Sequence, residues 1–440
     1  MTNTTRLATS IIAIAAIVAG CSSSASPSPS ATQAPTASPA PASSAPASAS
    51  ASASTSASAS ASASAGAGLS VADFDATFSA MAKLTSVTTA GSGMVGVILP
   101  DVTTSARYTS YDLPYLTKAF TTAGYTADQF KIQNASGTTT TEVAIAQSMI
   151  AGGAKVLLVD PLDGPTGLAI QTLATTAGIP YISYDRATFQ GTTTYYVSFD
   201  NVQVGKLIGQ GFMDCVTAWG VKSPQVYTLD GGQDTDPNAI DFAKGYNSVI
   251  WGQSVAQVKP GQTNSAGMTL VNEQLSPGWD NAKGQTIFQT AFTANNKINA
   301  TVEANDGLGN SVITVLKSAG VKPNTIPTTG QDATLAGMEN VLNGWQCGSV
   351  YKPIYLEAQA AVALATYLRA GQTPPTTLVN GVTTNPDTTS AAKTEPAVLL
   401  TPYWVDTKNM ETTVIKDAFV SVTDLCNNVT AAVCTAAGIK

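Results

Sequence analysis

Pairs of polar residues that could bind a ligand follow a series of short apolar segments along this chain. Seven of these segments are each followed by a dipeptide that contains aspartate, namely Pro100-Asp101, Asp160-Pro161, Asp185-Arg186, Asp200-Asn201, Asp230-Gly231, Asn305-Asp306 and Gln331-Asp332. Carboxylates accept hydrogen bonds, guanidinium groups donate them in a planar fork, and amides do both. The sequence has no histidine, which excludes Ser-His-Asp, Cys-His and His-ligated zinc chemistry. Catalysis by a pair of carboxylates is not excluded.

The elements that must position these residues alternate along the chain. Apolar segments that predict strands lie at residues 95–99, 156–159, 181–184, 195–199, 226–229, 300–304 and 326–329. Helical patterns lie at residues 142–150, 202–212, 309–318 and 335–342, with a further short helix at 71–84. Short apolar strands that alternate with helices predict parallel sheets covered on both faces. Ligands of such sheets bind beyond the carboxyl ends of the strands, where the polar pairs lie.

Length and composition favour two domains. The chain has 440 residues, of which 44% are hydrophobic and only 11% are charged, so it is long enough to form two cores. Seven strands exceed one small sheet, and we therefore predict an α/β fold of two doubly wound lobes that face each other across a cleft. The net charge of −7, without a basic stripe, argues against a nucleic-acid partner. We expect no cofactor and no metal.

The N-terminus indicates export. Arg6 precedes a short apolar segment at residues 11–19, which is too short to span a bilayer, and Cys21 follows it. This pattern resembles a bacterial lipoprotein signal, with a signal peptide at residues 1–20 and lipidation of Cys21. An ordinary secretory signal or a buried apolar segment are the alternatives. Residues 21–68 are mostly Ser, Ala, Pro and Thr, a composition that predicts a disordered tether between the lipid and the folded part.

Four further cysteines are present in the chain: Cys215, Cys347, Cys426 and Cys434. An even number of cysteines in an exported protein favours disulfides. Cys426 and Cys434 lie close together in sequence, which favours their pairing and leaves Cys215 for Cys347. Four free thiols are the alternative, and the sequence alone does not fix the pairing.

Six short motifs occur in order over nearly the whole chain after about residue 94. They are YDR at residues 184–186, YYVSFDN at 195–201, GGQDTDPNA at 231–239, GWDNA at 278–282, GQDA at 330–333 and VYKPI at 350–354. Together they resemble the xylose-binding branch of the type I periplasmic binding proteins. One such motif would be a weak signal, but six in the same order are specific.

The resemblance implies a division of the chain into lobes. The N-terminal lobe would comprise residues 69–198 with 352–400, and the C-terminal lobe residues 199–351 with 401–440. Three crossing segments, around residues 185–201, 350–353 and 399–406, would form a hinge. The two lobes would then close over a bound ligand.

The resemblance also implies which residues contact the ligand. A pyranose has flat apolar faces and a belt of hydroxyl groups, so a binding site needs aromatic rings and multidentate polar groups. Arg107 matches a sugar-contacting arginine, and Tyr108 stands where the family usually has tryptophan. Trp279 matches the stacking ring opposite Tyr108, and Asp185 with Arg186 matches the pair that grips ring hydroxyls. A surface salt bridge at Arg107 and a strand-end ion pair at Asp185 and Arg186 are the alternatives.

Two asparagines match hydroxyl ligands of the family in the second lobe. Asn238 lies in an Asp-Pro-Asn segment that could also cap a helix, but Asp236 is the better candidate for the cap. Asn305 matches a second amide ligand, and the adjacent Asp306 is a candidate helix cap.

Asp332 and Lys352 complete the implied site. Asp332, in Gly-Gln-Asp, matches a carboxylate common to the sugar sites of this superfamily. Lys352 matches a lysine of the hinge that reaches the ligand, although a structural role before Pro353 is the alternative. The predicted binding residues are therefore Arg107, Tyr108, Asp185, Arg186, Asn238, Trp279, Asn305, Asp332 and Lys352.

The function implied is that of a lipid-anchored binding protein, on the outer face of the cell membrane, that presents a monosaccharide to the permease of an ABC importer. D-xylose is the first candidate for the ligand, and ribose, galactose, arabinose or glucose are alternatives. We expect a monomer, and a sensory role beside a receptor stays open.

Two other classes of protein compete with this interpretation. A glycoside-processing enzyme would use a carboxyl acid and a carboxylate base on either side of the bond, whereas Asp185 and Asp332 are expected to pair with cations. A sugar-responsive repressor would carry a DNA-binding helix-turn-helix before the sugar domain, but here the signal and the tether take that place. The sequence therefore predicts a binding protein and not an enzyme.

Overall fold

A computed structural model describes residues 68–102, 107–189, 194–232, 234–385 and 394–440. All of these residues belong to one unit of the chain, Ser64–Lys440. The predicted signal peptide, the lipidation site Cys21 and nearly all of the predicted tether lie outside the described residues, and they stay predictions.

A seven-stranded sheet forms the centre of the first lobe. Its strand order is β10-β11-β5-β4-β3-β1-β2, and every pair is parallel except β10 with β11. The strands are β1 Met94–Leu99, β2 Phe130–Asn134, β3 Ala154–Val159, β4 Tyr181–Tyr184, β5 Thr194–Phe199, β10 Gly381–Thr384 and β11 Thr394–Leu400. The central strands are buried along nearly their whole length because helices cover both of their faces.

A smaller set of strands forms the second lobe. Strands β7, β6 and β8 are parallel and lie in that order, and β12 pairs with β9 in an antiparallel ribbon. These strands are β6 Gln225–Asp230, β7 Thr269–Leu275, β8 Ala300–Glu303, β9 Ser349–Tyr351 and β12 Tyr403–Val405.

Twelve α-helices lie in the described part of the chain and connect or flank the strands. They are α1 Thr85–Ala90, α2 Leu113–Thr122, α3 Thr139–Ala151, α4 Gly164–Thr176, α5 Asn201–Ala218, α6 Pro237–Ile250, α7 Asn281–Ala294, α8 Asp306–Ser318, α9 Leu335–Leu342, α10 Ile354–Arg369, α11 Val422–Asn428 and α12 Ala431–Ala436. Helices α5 and α6 pack very closely. A Cβ atom at Gly205 would lie 2.0 Å from the carbonyl oxygen of Phe242, so this contact requires glycine.

The chain passes between the two sets of strands three times: from β5 to α5, from β9 to α10, and from β11 to β12. The predicted class, α/β with two parallel-sheet lobes joined by three segments, is confirmed. The predicted limits of the two lobes, 69–198 with 352–400 and 199–351 with 401–440, stay a proposal at the level of single residues.

Two predicted elements were wrong in kind. Residues 326–329 run beside β8 without forming a strand, because Pro327 has no amide hydrogen and Thr329 bonds to Glu303 through side chains. The predicted helix at residues 71–84 is instead two 3₁₀ turns, Val71–Asp73 and Ser79–Leu84. Phe78 separates these turns with a left-handed φ of 67°.

Both predicted disulfides are confirmed. Cys215 of α5 is bonded to Cys347, which precedes β9, across a sequence separation of 132 residues. Cys426 is bonded to Cys434 across a separation of only 8 residues, and this bond joins α11 to α12. The first bond therefore links the helix after the first crossing to the strand before the second crossing.

We predict that the two disulfides contribute unequally to stability. In the chain-entropy description, closing a loop of 132 residues stabilises the fold by about 5 kcal/mol and a loop of 8 residues by about 2.5 kcal/mol. The paired variants Cys215→Ser with Cys347→Ser, and Cys426→Ser with Cys434→Ser, should show this order in urea unfolding at equilibrium. Equal losses, or a larger loss for the short loop, would contradict the prediction.

Candidate functional site

A cavity between the two lobes collects polar and aromatic side chains from segments that follow strands of both lobes. We call it the central cavity. Its volume is about 30 Å³. It is lined by Arg107, Tyr108, Asp185, Arg186, Asn238, Phe242, Trp279, Asn305, Gln331, Asp332 and Lys352. The structure therefore brings all nine predicted residues together.

The topology explains this convergence. Asp185 and Arg186 directly follow β4, Asn305 follows β8 after one residue, and Lys352 follows β9. Trp279 lies in the turn between β7 and α7. The carboxyl ends of the parallel strands of both lobes face the same space, which is where ligands bind in this class of sheet.

Arg107 is the most heavily paired side chain of the central cavity. Its guanidinium group donates two hydrogen bonds of 2.9 Å to Asp112 and one of 2.8 Å each to Asp185 and Glu357. It is only 3% exposed, so the predicted alternative of a surface salt bridge is wrong. Burial raises the pKa of Glu357 to about 8, although Arg107 opposes that rise.

Asp185 is held in its ionised form. Burial alone favours the neutral carboxyl group, but Arg107, Lys352 and Arg186 outweigh it and lower the pKa of Asp185 to about 2. The Nζ atom of Lys352 lies 3.6 Å from Asp185 Oδ1. The backbone carbonyl of Asp185 also accepts a hydrogen bond of 3.0 Å from Asn238 across the lobes.

Asp332 faces Lys352 from the second lobe. The Lys352 Nζ atom lies 3.7 Å from Asp332 Oδ1, and that oxygen has no hydrogen-bond partner among the described residues. Burial raises the pKa of Asp332, and Lys352 and Arg107 oppose the rise. Lys352 thus stands between one carboxylate of each lobe, with one buried oxygen left to accept a hydrogen bond from a ligand.

Arg186 is anchored within its own lobe and reaches across to the other. It donates hydrogen bonds to the Tyr108 hydroxyl at 2.9 Å, to the Pro161 carbonyl at 3.2 Å and to Asp160 at 3.4 Å. Its Nε atom lies 3.8 Å from Asp236 of the second lobe. Arg186 therefore joins the lobes through its charge pair with Asp236. Its second ion-pair partner is Asp160, whereas the alternative considered from the sequence paired it with Asp185.

The Trp279 ring is fixed on two sides. Its indole Nε1 donates a 2.8 Å hydrogen bond to Asp236 Oδ2, and its six-membered ring lies against Gly231. A Cβ atom at Gly231 would come within 1.8 Å of that ring. Asp236 Oδ1 accepts from the backbone amides of Asn238 and Ala239 and caps α6. The predicted cap at Asp236 is confirmed, and the alternative of a cap at Asn238 is wrong.

The residue that caps α8 differs from the sequence prediction, which named Asp306. Asn305, and not Asp306, caps α8, because its Oδ1 accepts a 2.9 Å hydrogen bond from the Leu308 amide. Asp306 is the first residue of that helix, and its carboxylate accepts from Ser349 at 2.7 Å and from Gln346 at 2.9 Å. The Asp306 carboxylate is fully buried, and these hydrogen bonds compensate for its loss of water. It therefore does not cap the helix.

Three lining residues have left-handed backbones: Asp185 with φ 60°, Trp279 with φ 58° and Asp332 with φ 96°. Residues with a Cβ atom rarely adopt this conformation, which costs free energy that the surrounding structure must offset. Such conformations cluster at functional sites. This strain is therefore independent support for the site.

The loop that carries Asp332 depends on a buried glutamate. The Glu303 backbone amide donates to the Thr329 hydroxyl at 2.8 Å, and the Thr329 amide donates to Glu303 Oε2 at 2.7 Å. Burial raises the pKa of Glu303 to about 8 despite these hydrogen bonds. The two hydrogen bonds between Glu303 and Thr329 take the place of backbone hydrogen bonds that a regular strand would make beside β8.

Two lining residues were not predicted from the sequence. Phe242 lies on α6 four positions after Asn238, so both side chains project from the same helix face. Gln331 directly precedes Asp332 in the Gly-Gln-Asp motif. The helical spacing could have identified Phe242, and the strand-end position could have identified Gln331.

Within the described ranges, no three acidic or cysteine side chains are grouped so that they could hold a metal ion. Over the same ranges, every helix is too short or too polar to cross a bilayer.

Comparison with known proteins identifies relatives of this chain. Residues 95–373 match the periplasmic binding protein domain. The D-xylose-binding periplasmic protein of Escherichia coli (strain K12) is 34% identical over 297 residues, which are 67% of this chain and 82% of that protein. The multiple sugar-binding periplasmic receptor ChvE of Rhizobium radiobacter is 29% identical over 348 residues, which are 76% and 93% of the two chains.

A solved structure supports the fold. The carbohydrate transporter solute binding protein from Chloroflexus aurantiacus, in complex with D-glucose, superposes with a TM-score of 0.63 at 24% identity. The superposition covers 76% of this chain and 98% of that one.

We predict that Asp236→Asn destabilises the protein more than Asp163→Asn. Both aspartates cap a helix, and asparagine retains that cap. Only Asp236 also accepts from the Trp279 indole, and loss of this buried acceptor should cost about 1–3 kcal/mol. Urea unfolding at equilibrium tests the difference. Equal losses in the two variants would contradict it.

We also predict that Glu303→Gln changes the pH dependence of stability. The folded pKa of about 8 lies above the usual 4.5. The buried site favours the neutral form of Glu303. The free energy of unfolding of the wild type is therefore highest below pH 4.5 and decreases as the pH rises from 4.5 to 8. The variant lacks this loss, so its stability relative to wild type should increase across that window. Parallel curves of unfolding free energy against pH would contradict the assignment.

Proposed function

The chain belongs to the periplasmic binding protein family, and on that premise we propose that it captures a monosaccharide between its lobes and presents it to an ABC importer. The observation that carries the proposal is the convergence of all nine predicted residues on the central cavity. Those residues come from both lobes and the hinge.

The chemistry of the central cavity suits a neutral, hydroxylated ring. Its cations are already paired with carboxylates, as Arg107 is with Asp112, Asp185 and Glu357. An anionic ligand would compete with those buried pairs, whereas a hydroxyl group donates and accepts without adding charge. Trp279 and Phe242 supply aromatic surface for the apolar faces of the ring.

The two contacts of Lys352 leave places for ligand hydroxyls. Its separations of 3.6 Å from Asp185 and 3.7 Å from Asp332 are longer than direct hydrogen bonds. A hydroxyl group between Lys352 and either carboxylate would accept from the ammonium group and donate to the carboxylate oxygen. Ligand binding would thereby replace two long ion pairs with short charge-assisted hydrogen bonds.

Entry of the ligand requires the lobes to separate. The residues that line the central cavity come from both lobes and are all buried, so the described arrangement is the closed form. The three crossing segments, which follow β5, β9 and β11, provide the hinge. A ligand that contacts both lobes in the closed form and only one in the open form shifts the equilibrium towards closure.

D-xylose is the ligand that we propose. The motifs and the D-xylose-binding relative from Escherichia coli point to this pentose. Ribose, arabinose, galactose or glucose are the alternatives. The relative from Rhizobium radiobacter is described as a multiple sugar-binding receptor, which keeps these sugars in the panel to be tested.

The remaining parts of the proposal follow from the sequence. Cys21 would be lipidated and anchor the protein as a monomer on the outer face of the cell membrane, and an importer permease would recognise the closed form. The protein would bind and release its sugar without cleaving bonds, because Lys352 pairs with both Asp185 and Asp332. Glycosidases need one carboxyl group protonated and the other free.

We predict that D-xylose binds with micromolar or tighter affinity, about −8 kcal/mol or more favourable. We also predict that Asp332→Asn weakens this binding by about 2 kcal/mol, roughly thirtyfold. The substitution keeps the size of the side chain but removes the charge that faces Lys352. Titration calorimetry with D-xylose and its epimers tests both values. Asp128→Asn, at an exposed position, is the matched control and should bind as wild type does.

Three results would contradict the proposal. One is the absence of heat with every monosaccharide of the panel, and another is unchanged affinity in Asp332→Asn. The third is turnover of a chromogenic xyloside, which would indicate an enzyme.

A further inference from the structure

A second cavity adjoins the central cavity at the edge of the cleft, and we call it the mouth cavity. Its volume is about 190 Å³, several times that of the central cavity. It is lined by Asp101, Gly137, Thr139, Leu162, Asp163, Arg186, Gly232, Thr235, Asp236, Gly278 and Trp279. Arg186 and Trp279 line both cavities, so the two spaces share a wall.

The mouth cavity opens to solvent and has one wall on each lobe. Gly137 and Thr139, in the first lobe, are exposed, and so are Thr235 and Gly278 in the second lobe. A group that extends from the central cavity towards solvent would therefore pass between the same two lobes. Closure would clamp such a group as it clamps the ring inside.

The walls of the mouth cavity are suited to a neutral ring. Asp101, Asp163 and Asp236 carry three formal negative charges against the one positive charge of Arg186, so an anionic substituent is disfavoured. Aspartate oxygens and threonine hydroxyls are partners for sugar hydroxyls. Trp279 adds an apolar edge to the same wall.

Glycines keep this space open. A Cβ atom at Gly278 would meet no other atom within 4 Å, and at Gly137 it would meet only Asp101 at 3.7 Å. Both residues have left-handed backbones, with φ 69° and 75°, a conformation that favours glycine. The rim therefore carries little side-chain bulk where a second ring would lie.

We propose that the mouth cavity is a second subsite that holds the outer ring of a neutral disaccharide whose inner ring occupies the central cavity. This inference rests on the proposed sugar-binding function and extends it from monosaccharides to short oligosaccharides. Trp279 and Arg186 contact both rings, and the hydroxyl of the inner ring that faces the mouth cavity carries the glycosidic oxygen.

Calorimetric titration of the full mature chain tests this subsite. The probes are D-xylose, D-glucose and their 1,2-, 1,3- and 1,4-linked disaccharides in both anomeric configurations. We expect at least one disaccharide to bind wild type within tenfold of its monosaccharide. Thr139→Trp fills the rim and should weaken that disaccharide at least tenfold while the affinity for the monosaccharide stays unchanged. Thr140→Trp, at the next exposed position of α3 and outside the mouth cavity, is the control and should change neither affinity.

The outcomes separate the subsite from the proposed function. If a monosaccharide binds and no disaccharide does, or if Thr139→Trp affects both ligands equally, the subsite is wrong and the sugar-binding proposal survives. If no sugar of either length binds, both proposals fail. A disaccharide that binds and is lost selectively in Thr139→Trp establishes the subsite.

Discussion

The pairing of buried charge around Arg107 is the interaction on which the rest of the site depends. A guanidinium group that is almost fully buried is tolerated only when carboxylates and hydrogen bonds compensate the loss of water. Asp112, Asp185 and Glu357 supply that compensation from three different elements. Arg107 thus fixes α10 and the segment before α2 against the end of β4. The position of Asp185, and through it the hinge lysine Lys352, follows from that arrangement.

The second lobe places polar groups against this charge cluster, and the hydrogen-bonding capacity of those groups is only partly used. Asp332 offers a buried oxygen, Asn238 donates across the lobes to the Asp185 carbonyl, and Asp236 faces Arg186 at 3.8 Å. Beside these polar contacts, Tyr111 of the first lobe stacks on Phe419 of the second, with ring centroids 4.0 Å apart. A ligand that bridges the same groups gains affinity while it stabilises closure, and this couples recognition to the shape of the molecule.

The sequence predicts the parts of this site that depend on local patterns. Strand β4 begins and ends where its apolar residues do, and the polar pair after it lies in the central cavity. The sequence does not predict Asp112 or Glu357, because partners of a buried arginine can come from any helix and leave no local signal. The prediction of a strand at residues 326–329 was wrong for a physical reason. Pro327 has no amide hydrogen to donate, and the Thr329 amide donates to the side chain of Glu303 instead of to the backbone of a neighbouring strand. The cap of α8 is Asn305, one residue before the predicted Asp306, because the Asp306 carboxylate accepts hydrogen bonds from Ser349 and Gln346 instead.

The order of the strands also bears on how the chain is made. Strand β11 lies between β10 and β5 and pairs Ala397 with Tyr196, and Cys347 pairs with Cys215. A ribosome releases β5 and Cys215 long before these partners exist, so the first lobe cannot complete its sheet, and the second cannot form its long cross-link, until late in synthesis. The finished fold therefore requires the last segments of the chain. A chain that is not yet fully folded can be threaded through a narrow translocation channel.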